Sequence, residues 1–154
     1  MKVKDILDKN SLTVYPETSI REVIKMFYEY NLTSLIIVNK DSDVIGVVTY
    51  SDLFRLFFPD YNEIRNHGEY LFDPQSIELR NKIYFDRPVK HLMTKFPEFI
   101  DTEMPAIEAA AIMKSYKIKQ LPVTENGKLL GVISIKDLLS NFILEKLNNV
   151  STTN

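Results

Sequence analysis

The period of apolar and polar positions changes along the chain in an order that occurs twice. Val3 to Leu7 is long enough for one helical turn. Leu12-Thr13-Val14-Tyr15 has strand character and stops at Pro16, which has no amide donor. Ile20, Val23, Ile24, Phe27 and Tyr30 then recur at helical spacing, with Thr18 or Ser19 as cap and Glu22 in the first turn. Leu35 to Val38 is an unbroken apolar run of strand length, the pattern of a strand covered on both faces. Asn39 to Asp43 supplies turn residues, and Val44 to Thr49 reads as the return strand of a hairpin. Ser51 is placed to cap a helix that carries Leu53, Phe54, Leu56 and Phe57.

The order strand, helix, strand, strand, helix then returns. Glu98 to Asp101 is the strand, and Pro105 opens a helix through Ile107, Ala110, Ala111 and Met113. Leu121 to Thr124 and Leu129 to Ser134 are strands joined across Glu125-Asn126-Gly127-Lys128, where Asn-Gly signals a tight hairpin. A last helix runs from about Ile135 to Leu147. The residues repeat along with the pattern. Val3-Lys4-Asp5-Ile6-Leu7 matches Val89-Lys90-His91-Leu92-Met93, and Ile20 to Met26 matches Ile107 to Met113. Gly46-Val47-Val48-Thr49-Tyr50-Ser51-Asp52-Leu53 returns as Gly131-Val132-Ile133-Ser134-Ile135-Lys136-Asp137-Leu138. Matched blocks in one order define an internal duplication. The boundaries read as 1–57 for repeat one, 58–88 for an insert, 89–147 for repeat two and 148–154 for a frayed polar tail. The insert is too long and too aromatic for a flexible linker, so it is expected to be ordered, with a helical turn near Tyr61 to Asn66.

Composition narrows the function. The chain has 154 residues, of which 45% are hydrophobic, enough for a real core. A single repeat of about 55 residues is marginal alone, so the two are expected to pack together. A net charge of −2 disfavours nucleic acid, which calls for a basic stripe. There is no cysteine, hence no thiolate chemistry or disulfide. No apolar run reaches the ~20 residues of a membrane span, and cytoplasm is the expected location. His67 and His91 are the only histidines, and they assemble neither a catalytic triad nor a metal cluster with the acidic residues. Asp41-Ser42-Asp43 lacks the ligand spacing of a calcium loop. Neither catalytic nor metal residues are expected; the chain reads as a non-enzyme.

The duplicated block is where chemistry concentrates. Gly46 has no side chain on the last strand, which suits close backbone approach. Thr49 with Asp52, and Ser134 with Asp137, fall where a strand ends and a helix begins. Amides at a helix start attract anions, the hydroxyls can donate to phosphate, and the carboxylates can accept from ribose hydroxyls. The same residues can also simply cap the helix.

With its strand-helix-strand-strand-helix order, Leu121-Pro122-Val123, and Gly-x-x-Thr/Ser-x-x-Asp in both halves, the chain resembles a tandem CBS-domain module. The resemblance implies an α/β fold: two CBS-type βαββα repeats packed with pseudo-two-fold symmetry, short sheets flanked by helices, and an ordered insert between them. It implies a regulatory module that senses an adenosine-containing ligand (AMP, ADP, ATP or S-adenosylmethionine) in a cleft between the repeats, with no required cofactor. The residues it points to are Thr49, Asp52, Ser134 and Asp137, with Thr102 after the first strand of half two and Tyr15 as its rough counterpart. Lys119-Gln120 and Thr33-Ser34 stand where the family often carries cations, so Lys119, Gln120 and Ser34 join the candidate site. Arg65, Arg80, Lys82 and Arg87 of the insert are further sources of positive charge. The doubly apolar helices around Phe54 and Leu139 predict a homodimer. An effector protein is a further expected partner, and a dimerising interaction scaffold without a small ligand is the rival reading.

Overall fold

The computed structural model describes residues 1–71, 74–95 and 99–144. The fold is mixed α/β, with short sheets flanked by helices. It divides into two compact units, one of Leu12–Lys40 with Ile45–Lys95, the other of Met1–Ser11 and Asp41–Val44 with the segment from Phe96 onward. Each unit thus joins the body of one repeat to the leader of the other, an exchange the linear duplication does not reveal.

In the first unit, strands β1 (Thr13–Val14), β2 (Ser34–Val38) and β3 (Val44–Thr49) form a sheet in that order. β1 runs parallel to β2 with Thr13 opposite Ile36 and Val14 opposite Ile37. Helix α1 (Ile20–Glu29) begins at Ser19, whose hydroxyl accepts the Glu22 amide while the Glu22 carboxylate accepts that of Ser19. Its apolar face buries Ile20, Val23 and Phe27 against Leu35, Ile37, Val48 and Leu53 of β2, β3 and helix α2 (Tyr50–Phe57). The core is closed by the borrowed leader. Val89 is fully buried, and its amide donates to the Thr18 carbonyl at 2.8 Å. Thr94 and Val47 exchange backbone hydrogen bonds of 2.9 and 2.8 Å. A Cβ on Gly46 would lie 3.0 Å from the Thr94 carbonyl oxygen, so the close approach expected of this glycine is to the leader.

The insert is more helical than its sequence suggests. Instead of one turn it forms α3 (Tyr61–Leu71) and α4 (Pro74–Tyr84). The overlooked signals are local. Asp60 and Glu63 cap each other at 2.9 and 3.0 Å at the start of α3, and Pro74 takes the first helical position of α4. The end of the insert docks on the first repeat. Phe57 meets Tyr84 edge-on at 6.3 Å and Phe85 at 5.6 Å, and Arg21 stacks on Phe85 while pairing with Asp86 at 3.1 Å.

In the second unit, β4 (Gln120–Glu125) and β5 (Lys128–Ser134) form an antiparallel hairpin. Asn126 and Gly127 have φ of 52° and 79°, the paired positive values of the two-residue turn that Asn-Gly favours. The strand expected over Glu98 to Asp101 reduces to a bridge from Ile100 to Val123; residue 98 lies outside the described residues. Helix α5 (Ala106–Tyr116) starts one residue later than expected, because Pro105 has an extended ψ of 131° and serves as the cap position. Helix α6 (Ile135–Leu139) gives way to a π turn over Ser140–Leu144, so the regular α-helix is shorter than the expected span to Leu147. The end of that span and the tail at 148–154 lie outside the described residues. The leader seats here. Val3 is fully buried, Asp8 and Val132 exchange hydrogen bonds of 3.0 and 2.9 Å, and Lys2 and Lys4 both pair with Glu103. These two ammonium groups, chiefly through their hydrogen bonds, hold the Glu103 carboxyl down to about 2.

Candidate functional site

The duplicated hydroxyl and carboxylate form the same closed motif in each half. Thr49, not Ser51, is the cap of α2: its hydroxyl accepts the Asp52 amide at 3.3 Å. Asp52 Oδ2 in turn accepts from the Thr49 amide and hydroxyl, both at 2.8 Å. In half two, Ser134 Oγ accepts the Asp137 amide at 3.3 Å, and Asp137 Oδ2 accepts from the Ser134 amide at 2.8 Å and hydroxyl at 2.6 Å. The capping role is therefore real in both halves. Its consequence is chemical. A hydroxyl has one proton, and here it goes to the carboxylate, so it is not available to a phosphate in this arrangement. What remains is the outer oxygen, Oδ1, of each Asp.

At that oxygen the halves differ. Asp52 is only 5% exposed, and its Oδ1 pairs with the Arg55 guanidinium one turn along the helix. Asp137 is half-buried, and Ser140 stands at the position equivalent to Arg55. Fewer amides are open than a bare helix start would offer. Ile135 N–H donates to the Lys119 carbonyl at 3.0 Å and Asp137 N–H to Ser134, which leaves Lys136 N–H without a partner among the described residues. Tyr50 N–H donates likewise to the Thr33 carbonyl at 3.3 Å, so Lys119 and Thr33 are structural equivalents, as the alignment of the repeats expects.

The strand register sorts the other candidates. Gln120 lies opposite Ser134 across the hairpin, at the junction itself. Ser34 starts β2, directly after Thr33, whose carbonyl meets the first residue of α2. Tyr15 is different. Continuing the β1 register sets it level with Val38, four residues from Ser34 along β2, about 13 Å at the usual strand rise. It is 57% exposed. Thr102 lies two residues beyond the Ile100 bridge to Val123, likewise at the far end of β4 from Gln120. Nor are Tyr15 and Thr102 counterparts. Thr102 accepts from Lys4 N–H as Pro16 accepts from Lys90 N–H, which aligns Thr102 with Pro16. The strand residue nearer the half-one junction is exposed Thr13, opposite Ile36. Sequence periodicity could not single it out, because parallel pairing is a long-range choice. Lys136 also borders this junction, and the replacement of Ser51 by Lys136 inside an otherwise matched block is the sequence signal that marks it. Among the insert cations, Arg87 stacks on Tyr84 at 5.2 Å and Lys82 pairs with Glu78 at 3.7 Å.

Each unit also carries an apolar groove along its helices. One, of about 590 Å³, is lined by Ile24, Leu53, Phe54, Phe57 and Phe58 together with Arg55. The other, of about 400 Å³, is lined by Ala110, Met113, Ile118, Ile135, Leu138 and Leu139 together with Lys114, Lys117 and Lys119. Phe54 and Phe58 stack at 5.0 Å and are 65% and 52% exposed, so among the described residues the insert packs on Phe57 and leaves these two rings open. No described helix is long and apolar enough to cross a membrane. No group of three or more potential metal ligands occurs among the described residues.

Comparison with known proteins places the duplication in context. The family model for the CBS domain matches twice, at residues 3–58 and 89–143. An uncharacterized protein of Rickettsia prowazekii is 28% identical over 142 residues, 90% of this chain but 37% of that protein. The inosine-5'-monophosphate dehydrogenase of Aquifex aeolicus is 28% identical over 136 residues, 84% of this chain and 22% of the enzyme. The chain thus spans well under half the length of these two relatives. Among solved structures, a CBS-domain containing protein from Agrobacterium tumefaciens aligns with a TM-score of 0.69 at 25% identity, covering 92% of this chain and 93% of that one. CBSX2 in complex with AMP aligns with a TM-score of 0.72 at 24% identity, covering 94% and 98%. The CBS domain pair of protein MJ0100, in complex with 5'-methylthioadenosine and S-adenosyl-L-methionine, aligns at 0.64 and 20% identity, covering 99% and 98%.

Proposed function

The chain belongs to the CBS-domain family as a tandem pair, and on that premise we propose that it is a regulatory module that senses an adenosine-containing ligand. The observation that carries this reading is the half-two junction. Asp137 is fixed through Oδ2 by Ser134, is half-buried, and keeps Oδ1 clear of the neighbouring cation that its half-one equivalent has. A carboxylate held in that way is suited to accept from a ribose hydroxyl. Gln120 stands opposite Ser134, and Lys119 and Lys136 lie next in sequence to Gln120 and Asp137, which puts positive charge on the two segments that meet at this junction. Support also comes from fold neighbours whose structures hold AMP, or S-adenosyl-L-methionine with 5'-methylthioadenosine. The role is binding rather than catalysis, since nothing in this arrangement transfers a proton or a group. A ligand regulates only by contacting two conformations differently, so an effector protein would read a shift in their populations. A second copy of the chain would cover the apolar helix faces that expose Phe54, Phe58 and Leu139.

The test is thermal denaturation with AMP, ADP, ATP and S-adenosylmethionine. A ligand at 100 times its Kd adds about 2.7 kcal/mol, or roughly 5–10 °C for a chain of this size. A shift abolished in Asp137→Asn, which keeps the shape and the cap, is the expected result. No shift with any of the four would overturn the ligand reading. It would favour an interaction scaffold, the role that the exposed Phe54 and Phe58 face also suits.

A further inference from the structure

Resting on that reading, we propose that Arg55 is an internal counter-ion that closes the half-one junction, so that the chain takes its ligand tightly at Asp137 only. Three equivalent positions differ between the halves, and all three act in one direction. Arg55 pairs with Asp52 Oδ1, the oxygen that ribose would need, whereas Ser140 stands at the matching position beside Asp137. Lys119 and Lys136 are matched by the neutral Thr33 and Ser51. Half two therefore presents a carboxylate whose Oδ1 has no partner among the described residues, with lysines at the two matching positions where half one is neutral. Half one presents a carboxylate that is fully committed: Oδ2 to Thr49 by two bonds of 2.8 Å, Oδ1 to Arg55.

Burial makes the difference effective. The Asp52 side chain is 6% exposed, while that of Arg55 is 73% exposed. A ribose hydroxyl must displace the guanidinium to reach Oδ1, and the nearly buried carboxylate then exchanges a charged partner for a neutral one. Because the Arg55 side chain is largely in solvent, removing it creates no cavity, and the capping box holds Asp52 in place without it. Arg55 is thus a specificity-determining residue that sets how many ligands the chain holds.

Titration calorimetry of the full chain with AMP, and separately with S-adenosylmethionine, tests this. The wild type is expected to take one tight equivalent, retained in Asp52→Asn and lost in Asp137→Asn. Arg55→Ala is expected to lower the half-one Kd at least about fivefold, equivalent to about 1 kcal/mol, bringing a second equivalent into the titration. Adding Asp52→Asn to Arg55→Ala should remove that second equivalent. Two tight equivalents in the wild type, or a single one unchanged by Arg55→Ala, would overturn the counter-ion role while leaving the ligand reading intact. Binding of neither probe to the wild type or to Arg55→Ala would instead overturn the ligand reading and this proposal together. Melting curves of each variant without ligand separate loss of binding from loss of fold.

Discussion

Gly131→Ala is a one-carbon change with a cost that can be worked out. A Cβ at this position would lie 2.2 Å from the Asp8 carbonyl oxygen, 2.9 Å from Leu7 Cδ1 and 3.0 Å from the Asp8 carbonyl carbon, where ordinary contact begins at 3.4 Å. The nearest atoms are backbone, so a side-chain rotation cannot relieve the clash. The leader must move by about 1.2 Å. That motion strains both hydrogen bonds between Asp8 and Val132, each worth about 1 kcal/mol net. It also disturbs half-buried Leu7, adding about 1 kcal/mol of repacking at the low end for overfilled sites. The expected loss is about 3 kcal/mol, or roughly 6–12 °C in Tm. Gly46→Ala is the internal control. Its Cβ would meet the flexible Met93 Sδ and the Thr94 carbonyl oxygen, each at 3.0 Å, so a shift of a few tenths of an ångström suffices. Its cost should stay near or below about 1 kcal/mol, partly offset by the lower chain entropy of the unfolded Ala variant. Urea unfolding followed by circular dichroism measures both, and hydrogen exchange should show the amides of Asp8 and Val132 losing protection only in Gly131→Ala. A Gly131→Ala variant within 0.5 kcal/mol of wild type, or a Gly46→Ala variant equally damaged, would refute the role assigned to the exchanged leader.

Two further outcomes follow from the same geometry. Because Glu103 is held down to about 2, below the ordinary value near 4.5, its ion pairs contribute fully above about pH 4.5 and fade as pH falls toward 2. The Tm difference between wild type and Glu103→Gln should therefore be small but measurable at neutral pH, shrink in high salt, and close across that acid window; a difference that widened there would contradict the assignment. Phe54→Glu, on an exposed stacked ring, should convert a wild-type dimer to monomer in sedimentation equilibrium with helicity unchanged, and a wild-type monomer would remove the case for self-association.

Local chemistry was legible in the sequence wherever one stretch of chain decides its own conformation. The Asn126-Gly127 turn, the cap at Ser19 and the buried run Leu35 to Val38 follow from residues a few positions apart. The Asp60 and Glu63 pair is equally local, a reciprocal cap three residues apart at the start of α3. Duplication made the fold class readable, because two copies of one block constrain each other. It also marks the hydroxyl and carboxylate, but not that each hydroxyl proton is committed to its own partner.

By itself, then, the sequence determined the repeat, the order of elements, the fold family and the two junctions that carry the duplicated hydroxyl and carboxylate. The tertiary structure decided what joins distant segments. It assigned each leader to the body of the other repeat, gave Gly131 its reason, and moved Tyr15 and Thr102 away from the junctions that Gln120 and Ser34 border. It also made the halves unequal, by turning Arg55 back onto Asp52. The physical reason is that capping and turn formation are settled within a few residues. Strand register, close backbone approach and the pairing of a buried charge depend on which surfaces meet, and their energies exist only once the chain has folded.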